Sequence, residues 1–195
     1  MKLSSSSKFV RIALLGILLV SALTGLASTN VRALGTVRYA SPTGVISGNC
    51  DSWANACTLV FALGKVTSGD QIWVKAGTHK PHSNDRTKSF TLKNGVAVYG
   101  GFAGTEIALN QRNISANLTI LSGDINAPNV HTDNSYHVVV ASGTGTSAKL
   151  DGVRIIRGRA NGGGTNSSGG GLYNDSGSPT IRNVTFLIVG EPESL

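Results

Sequence analysis

The sequence predicts an all-β protein built from short strands, and three observations support this prediction. Short runs of Val, Ile, Leu, Phe and Tyr recur between turn residues, with little helical periodicity. The 195-residue chain contains 25 Gly, and Asn, Ser and Thr are abundant, as frequent turns require. The apolar segments also recur at intervals of about 20 residues or more, which is typical of a solenoid.

The segments that we predict as strands are rich in β-branched or aromatic residues and are bounded by Gly, Asn, Asp or Pro. They are Gln71–Val74, Phe90–Lys93, Val96–Tyr99, Leu118–Leu121, Tyr136–Val140, Leu150–Ile156 and Thr180–Phe186. Ile72, Val96 and Ile120 are evenly spaced along the chain, and Val139 follows Ile120 after a somewhat shorter interval. These intervals predict one coil of a solenoid per step. Periodicity alone fits an antiparallel sandwich equally well.

One segment predicts an α-helix, at about residues 53–63. Its apolar side chains recur at steps of three and four residues: Trp53, Ala56, Cys57, Val60 and Phe61. Asp51 or Ser52 is suited to the N-cap of this helix, and Gly64 is suited to end it.

Residues 1–33 predict a cleaved signal peptide. Three cations close to the N-terminus precede an apolar run, Ile12–Leu26, and Val31–Ala33 resembles a cleavage site. The run is short for a span of about 20 residues, so we expect no stable membrane span after cleavage. Cleavage after Ala27 and retention as a membrane anchor are the alternatives. The signal predicts a secreted, extracellular or cell-surface protein.

Removal of the signal lowers the net charge. The whole chain carries +7, but four of its basic residues and none of its acids lie before residue 34, which leaves 13 basic and 10 acidic residues. No basic helix and no basic-aromatic alternation accompanies them, so the sequence predicts no nucleic-acid binding.

Cys50 and Cys57 are the two cysteines of the chain, and both follow the predicted cleavage site. In an exported protein such a pair favours a disulfide, which on the chain-entropy model contributes roughly 2.5 kcal/mol. Unlinked thiols are the alternative. A metal pair with His79 and His82 lacks the spacing of a zinc site.

Several segments resemble bacterial extracellular proteins with a pectate-lyase-like right-handed parallel β-helix. The N-terminal likeness lies in Asn55–Leu63, Ser68–His79 and Val98–Glu106. The likeness to repeating coils lies in Leu150–Ile155 and in Gly169–Asn174 with Ser178–Phe186. These segments are similar in style to the passenger regions of polymorphic outer-membrane proteins. The resemblance implies a right-handed parallel β-helix at residues 34–195, with coils from about residue 70 onward.

The resemblance also implies a role for the helix and a departure at the C-terminus. An α-helix ahead of the first coil would cover exposed core side chains and unpaired backbone groups, and the cysteine pair would hold it there. After Phe186 the family would continue with further coils. The chain instead gives Leu187–Leu195, so we expect a truncated or frame-shifted product.

The acidic residues are dispersed, which argues against lyase chemistry. Elimination needs a base together with Ca²⁺ held by clustered carboxylates. Asp124, Asp151 and Asp175 are separated by intervals close to one predicted coil each, so stacking of coils would bring them together as a weak candidate metal site. An Asp beside Gly is more often a turn residue.

Arg157 and Arg159 are the candidate ligand-binding residues, because guanidinium groups bind uronate carboxylates in a bidentate way. We assign no catalytic residue, no metal and no cofactor. The sequence therefore predicts a non-enzymatic module for carbohydrate or surface-protein binding, or adhesion. The alternative is a pectate-lyase-like polysaccharide lyase or hydrolase, which would use Ca²⁺ and whose catalytic coils are missing or unrecognised.

Overall fold

The computed structural model describes residues 35–187. The predicted signal peptide (1–33) and the segment after residue 187 lie outside the described residues. The strands are β1 (Val37–Val45), β2 (Gln71–Lys75), β3 (Gly77–His79), β4 (Phe90–Thr91), β5 (Ala97–Phe102), β6 (Thr119–Ser122), β7 (Val139–Val140), β8 (Lys149–Asp151), β9 (Arg154–Ile156), β10 (Leu172–Tyr173), β11 (Thr180–Arg182) and β12 (Thr185–Leu187). The α-helix of this region is α1 (Leu59–Lys65), and the 3-10 helices are Leu109–Gln111, His131–Asp133 and Gly164–Ser167.

The strands form three sheets in which every pairing is parallel. Sheet A has the order β1-β2-β5-β8-β11, sheet B β12-β9-β6-β3 and sheet C β10-β7-β4. From β2 onward the chain visits A, B and C in turn, and we call each passage a coil. Because strand neighbours come from different coils, no β-hairpin forms within residues 35–187. The predicted all-β class is confirmed.

Apolar side chains from the three sheets meet in one core. In register, the core rows are Ile72–Val98–Leu150–Ile181 in sheet A, His79–Leu121–Ile155–Phe186 in sheet B and Phe90–Val139–Leu172 in sheet C. The rows are fully buried in the early coils, whereas Phe186 in the last described strand is 48% exposed. Burial of aliphatic side chains from water is the main stabilising contribution of this core.

The predicted coil intervals were wrong after the first. Ile72 aligns with Val98 and then with Leu150, so the second step along the chain is twice as long as the first. Ile120 lies in sheet B and Val139 in sheet C, so they belong to the same coil as Val98. Long connections at 103–118 and 123–138 lengthen this coil. Strands of different sheets within it are therefore spaced along the sequence at intervals that resemble a regular repeat.

Two predicted strands each divide into two. Leu150–Ile156 becomes β8 and β9, separated by a turn with Gly152 at φ 81°, and Thr180–Phe186 becomes β11 and β12, separated by Asn183 at φ 49°. Gly and Asn are the residues that most readily adopt this left-handed conformation. Each of these short turns moves the chain from sheet A to sheet B.

The helix begins later than predicted and is shorter. α1 starts at Leu59 because Thr58 is its N-cap, with Oγ1 accepting a hydrogen bond from Phe61 N at 3.4 Å. Cys57 is extended and forms bridges with Ala40 and Val45. Ser52 instead accepts from Asn55 N at 3.2 Å in a separate turn. Trp53 is therefore outside the helix, and Gly64 is inside it.

The predicted disulfide between Cys50 and Cys57 is present. It joins the segment after β1 to the residue before the N-cap of α1, and both cysteines are fully buried. Helix α1 packs against β1, β2 and β4, and its buried Leu59 and Leu63 join the core. No helix within residues 35–187 combines the length and apolar character needed to cross a membrane.

Candidate ligand-binding site

The connections from sheet B to sheet C are long in each of the three coils for which the structure describes them. They comprise residues 80–89, 123–138 and 157–171. We call the region where they stack the B–C corner. The other connections between described strands are short, apart from residues 46–70, which contain α1 and join β1 to β2, and residues 103–118, which join β5 to β6. Repeated insertions on one side of a repeat protein often form its binding face.

Backbone hydrogen bonds hold these loops in layers. Tyr136 N donates to Arg86 O at 2.9 Å, which joins the first loop to the second. Arg159 N donates to Ser135 O at 2.8 Å, which joins the second to the third. The loops therefore continue the parallel pairing of sheet C beyond its short strands and present an ordered surface.

The Arg86 side chain ties the three loops together. Its Nε donates to Asn134 O at 2.6 Å, and its Nη2 donates to Asn161 Oδ1 at 2.6 Å. Its guanidinium carbon also lies 4.2 Å from the centroid of the Tyr136 ring, a cation–π geometry. Arg86 is thus a positioning residue whose donors are engaged by the protein.

An aromatic surface lies beside these loops on sheet C. Tyr173 of β10 is half-buried, and its ring centroid is 4.7 Å from that of His137. His137 Nδ1 lies 3.2 Å from Gly169 O, so the ring is fixed against the third loop. A fixed, partly exposed aromatic ring offers apolar contact together with a polar tip, which suits the mixed surface of a sugar.

Arg157 and Arg159, the predicted binding residues, lie in the third loop, because β9 ends at Ile156. Arg157 forms an ion pair with Asp124, whose side chain is only 9% exposed. Arg159 O accepts from Arg86 Nη2 at 3.3 Å. Arg157 therefore joins the second and third loops through its Nη1.

A cavity of about 530 Å³ opens beside these arginines. Arg157, Arg159 and Asn134 line its polar side, and apolar core residues of the last coil, Leu172 and Phe186, line the other. Asn134 is buried, and its Oδ1 has no hydrogen-bond partner among the described residues. The cavity lies beside β12, the last described strand of sheet B.

Stacking does not bring the three candidate metal ligands together, contrary to the expectation from their spacing. Asp124 follows β6 in sheet B, Asp151 ends β8 in sheet A, and Asp175 follows β10 in sheet C. Unequal coil lengths explain the error, since the intervals between these residues do not span one coil. Within residues 35–187 no group of three or more His, Cys, Asp or Glu side chains is arranged to hold a metal ion.

His79 and His82 have separate structural roles. His79 lies in the core row of sheet B with its Nε2 2.9 Å from Lys75 O, and burial lowers its pKa below the ordinary value of 6.5, partly offset by that hydrogen bond. His82 is exposed, and its Nδ1 accepts from the amides of Asn84 and Asp85 at 3.2 and 2.9 Å.

Sequence reasoning missed Arg86, Tyr136 and Tyr173 as members of one surface. Tyr136 was visible only as the start of a predicted strand, and Arg86 stands in no motif. Their proximity depends on which loops stack, and the sequence spacing predicted that incorrectly. No family model, curated protein or solved structure matches the chain.

Proposed function

We propose that this chain is a right-handed parallel β-helix module of a secreted or cell-surface protein, of the pectate-lyase-like kind, that binds polysaccharide at its B–C corner without cleaving it. The observation that carries the proposal is the stacking of three long loops around Arg86, next to the half-buried Tyr173.

The coil topology supports the proposed architecture. Parallel strands follow one another through three sheets, and crossover connections between parallel strands of one sheet are right-handed in about 98% of cases. Helix α1 lies against the edge strands β1 and β4, as expected of a cap. The Cys50–Cys57 disulfide supports an oxidising, exported setting.

The arrangement of charges favours binding over catalysis. Asp124 and Asp151 are both engaged in ion pairs with arginines, and Asp175 Oδ1 accepts from Ser176 Oγ at 2.9 Å. Each of these three carboxylates is thus engaged by another side chain of the protein. No specific observation favours the lyase or hydrolase alternative.

The binding proposal is tested with a panel of neutral and acidic polysaccharides in affinity electrophoresis. We expect the Tyr173→Ala variant to lose retardation by a bound polysaccharide. The Ile107→Ala variant is the control, since this side chain is 86% exposed and lies in the 103–118 connection. If no polysaccharide in the panel retards the protein, the proposal is overturned. Calcium-dependent release of unsaturated products from polygalacturonate would replace it with the lyase alternative.

The export proposal is tested separately. We expect N-terminal sequencing of the secreted protein to begin near Leu34, because Val31–Ala33 resembles a cleavage site. A start at Ser28 would indicate cleavage after Ala27. Recovery of intact Met1 in all of the protein would contradict export by signal cleavage.

A further inference from the structure

A second surface, on the outer face of sheet A, differs in character from the B–C corner. In register across this face lie Tyr39, Trp73, Tyr99, Asp151 and Arg182. Neighbouring strands of a sheet are about 4.8 Å apart, so these side chains form a continuous row. The row begins with aromatic residues and ends with charged ones.

Other aromatic residues cover the first part of this row. Trp73 stacks on Phe102 with ring centroids 4.8 Å apart, and Tyr39 meets Trp53 at 4.7 Å. Trp73 and Phe102 are buried in this cluster. The cover stops at Tyr99, beyond which a groove of about 270 Å³ opens over the later strands.

The floor of the groove is held rigidly. Arg112 donates to Asp151 Oδ2 at 3.0 Å, and Asn183 Nδ2 donates to Asp151 Oδ1 at 2.8 Å. Both carboxylate oxygens of Asp151 are therefore engaged. The Arg112 guanidinium carbon also lies 5.1 Å from the centroid of the Tyr99 ring, which fixes that ring at the edge of the groove.

Two cations at the same groove are uncompensated within residues 35–187. Lys149 and Arg182 line it and are exposed. Neither side chain makes an ion pair or hydrogen bond to another described residue. Because Arg112 neutralises Asp151, the groove has a net positive charge contributed by these two side chains.

We propose that this groove binds an anionic saccharide, with a sugar ring against Tyr99 and the carboxylate or sulfate of the sugar paired with Lys149 and Arg182. Ammonium and guanidinium groups form charge-assisted hydrogen bonds with such anions, and the phenol ring provides the apolar contact. The site is separate from the B–C corner, and its assignment to a saccharide rests on the proposed function.

The groove favours a sugar over a nucleic acid. A single-stranded nucleic acid is bound by a series of aromatic platforms along a positively charged channel. In the described part of the chain, one accessible ring and two unpaired cations surround a short groove with a carboxylate in its floor. A single anionic sugar unit with its neighbours matches this extent and charge better than a phosphate backbone.

The test measures the dissociation constants of the purified full chain by calorimetry at low and high salt. The probes are oligogalacturonate, its methyl ester, which has the same sugar ring without the charge, and a sulfated oligosaccharide. We expect salt-sensitive binding of the acidic probes and none of the methyl ester. Oligogalacturonate and the sulfated probe distinguish a carboxylate ligand from a sulfate ligand. Screening by salt follows from the exposure of both cations.

Two matched double variants locate the site. Lys149→Gln with Arg182→Gln removes two charges from the groove and is expected to weaken binding about tenfold, the effect of roughly 1.4 kcal/mol. Lys65→Gln with Lys75→Gln removes two exposed charges outside both the groove and the B–C corner and is expected to leave binding unchanged. A third double variant, Lys80→Gln with Lys88→Gln, removes two exposed charges from the B–C corner and shows whether the acidic probes bind there instead. Tyr99→Leu tests the aromatic contact while it keeps an apolar side chain.

The outcomes separate this inference from the proposed function. If binding is lost only in the Lys80→Gln, Lys88→Gln variant, the proposed binding site in the groove is overturned. The polysaccharide-binding function at the B–C corner is then kept. Binding of neutral but not acidic polysaccharide has the same consequence. Tighter binding of a single-stranded oligonucleotide at Lys149 and Arg182 would replace the saccharide as ligand.

Discussion

At the scale of single residues, the ion pairs of the chain differ strongly in burial. Arg112 and Asp151 are 17% and 14% exposed, whereas Lys88 and Asp85 are 57% and 38% exposed at a separation of 3.8 Å. We expect Arg112→Ala to lower the free energy of unfolding by about 2 kcal/mol, because Asp151 loses a charged hydrogen-bond partner in a partly buried site. Lys88→Ala is the control and should leave the free energy of unfolding nearly unchanged, because solvent screens this exposed pair. Urea unfolding measures both, and equal effects would contradict the argument.

A second residue-scale prediction concerns pH. The pKa of His79 is lowered by burial, so the unfolded chain binds a proton at this residue more readily than the folded one. Stability from this residue is therefore present above pH 6.5 and is lost as the pH falls from 6.5 toward the lower pKa of the folded state. The steepest possible slope is about 1.4 kcal/mol per pH unit.

The check compares the unsubstituted protein with His79→Gln by urea unfolding at several values between about pH 5 and pH 8. We expect the substitution to flatten the pH dependence. A slope unchanged by His79→Gln would show that other groups produce it. The burial of His79 was not predictable, because it depends on alignment with Leu121 in the core row of sheet B.

At the scale of elements, the disulfide and α1 act together at one end of the sheets. The Cys50–Cys57 bond closes a short segment next to the N-cap Thr58. On the chain-entropy model we expect Cys50→Ala with Cys57→Ala to lower the free energy of unfolding by roughly 2.5 kcal/mol. Thr58→Ala alone should cost about 1 kcal/mol.

Thiol titration of the unfolded, unreduced protein should find no free thiol, and two free thiols would contradict the Cys50–Cys57 bond.

Secondary-structure elements were predicted well where the local sequence determines them. They were predicted poorly where pairing with a distant strand determines them. The strand around Ile72 and Val74 was correct, since turn residues bound a run of apolar and β-branched side chains. Strand β1 was missed because the composition of Ser41–Gly44 is typical of a turn, and its pairing with β2 keeps it extended. The helix start was misplaced because the apolar spacing from Trp53 continued across Cys57, which is held in an extended conformation.

At the scale of the whole molecule, burial falls along the stack of coils. Leu121 and Phe186 occupy the same core row of sheet B, but Leu121 is 1% exposed and Phe186 is 48% exposed. We expect Leu121→Ala to cost about 3 kcal/mol and Phe186→Ala less than about half of that, although Phe is the larger residue. Amide hydrogen exchange should likewise be slower in β6 than in β12. Equal costs would mean that Phe186 is covered in solution.

The class of fold was predictable at this scale, but the assignment of residues to coils was not. Composition and short apolar runs indicate strands and turns. Which strands become neighbours depends on the lengths of the connections at 103–118 and 123–138, and these carry no periodic signal. The candidate site shares this limit, because Arg86 meets Tyr136, and Tyr173 meets His137, only once the coils are aligned.

The absence of hairpins among the described strands has a kinetic consequence. Every strand pairing joins residues that are distant along the chain, and even the shortest separation, from Gln71 to Ala97, includes all of β3 and β4. Loops of this length must close before any ladder of hydrogen bonds forms, so the contact order is high and folding is expected on a scale of about milliseconds to seconds. The Cys50–Cys57 bond, which closes only a short segment, can form before these ladders. A newly made chain would therefore pass through an interval in which its strand segments are unpaired and can associate with those of another chain.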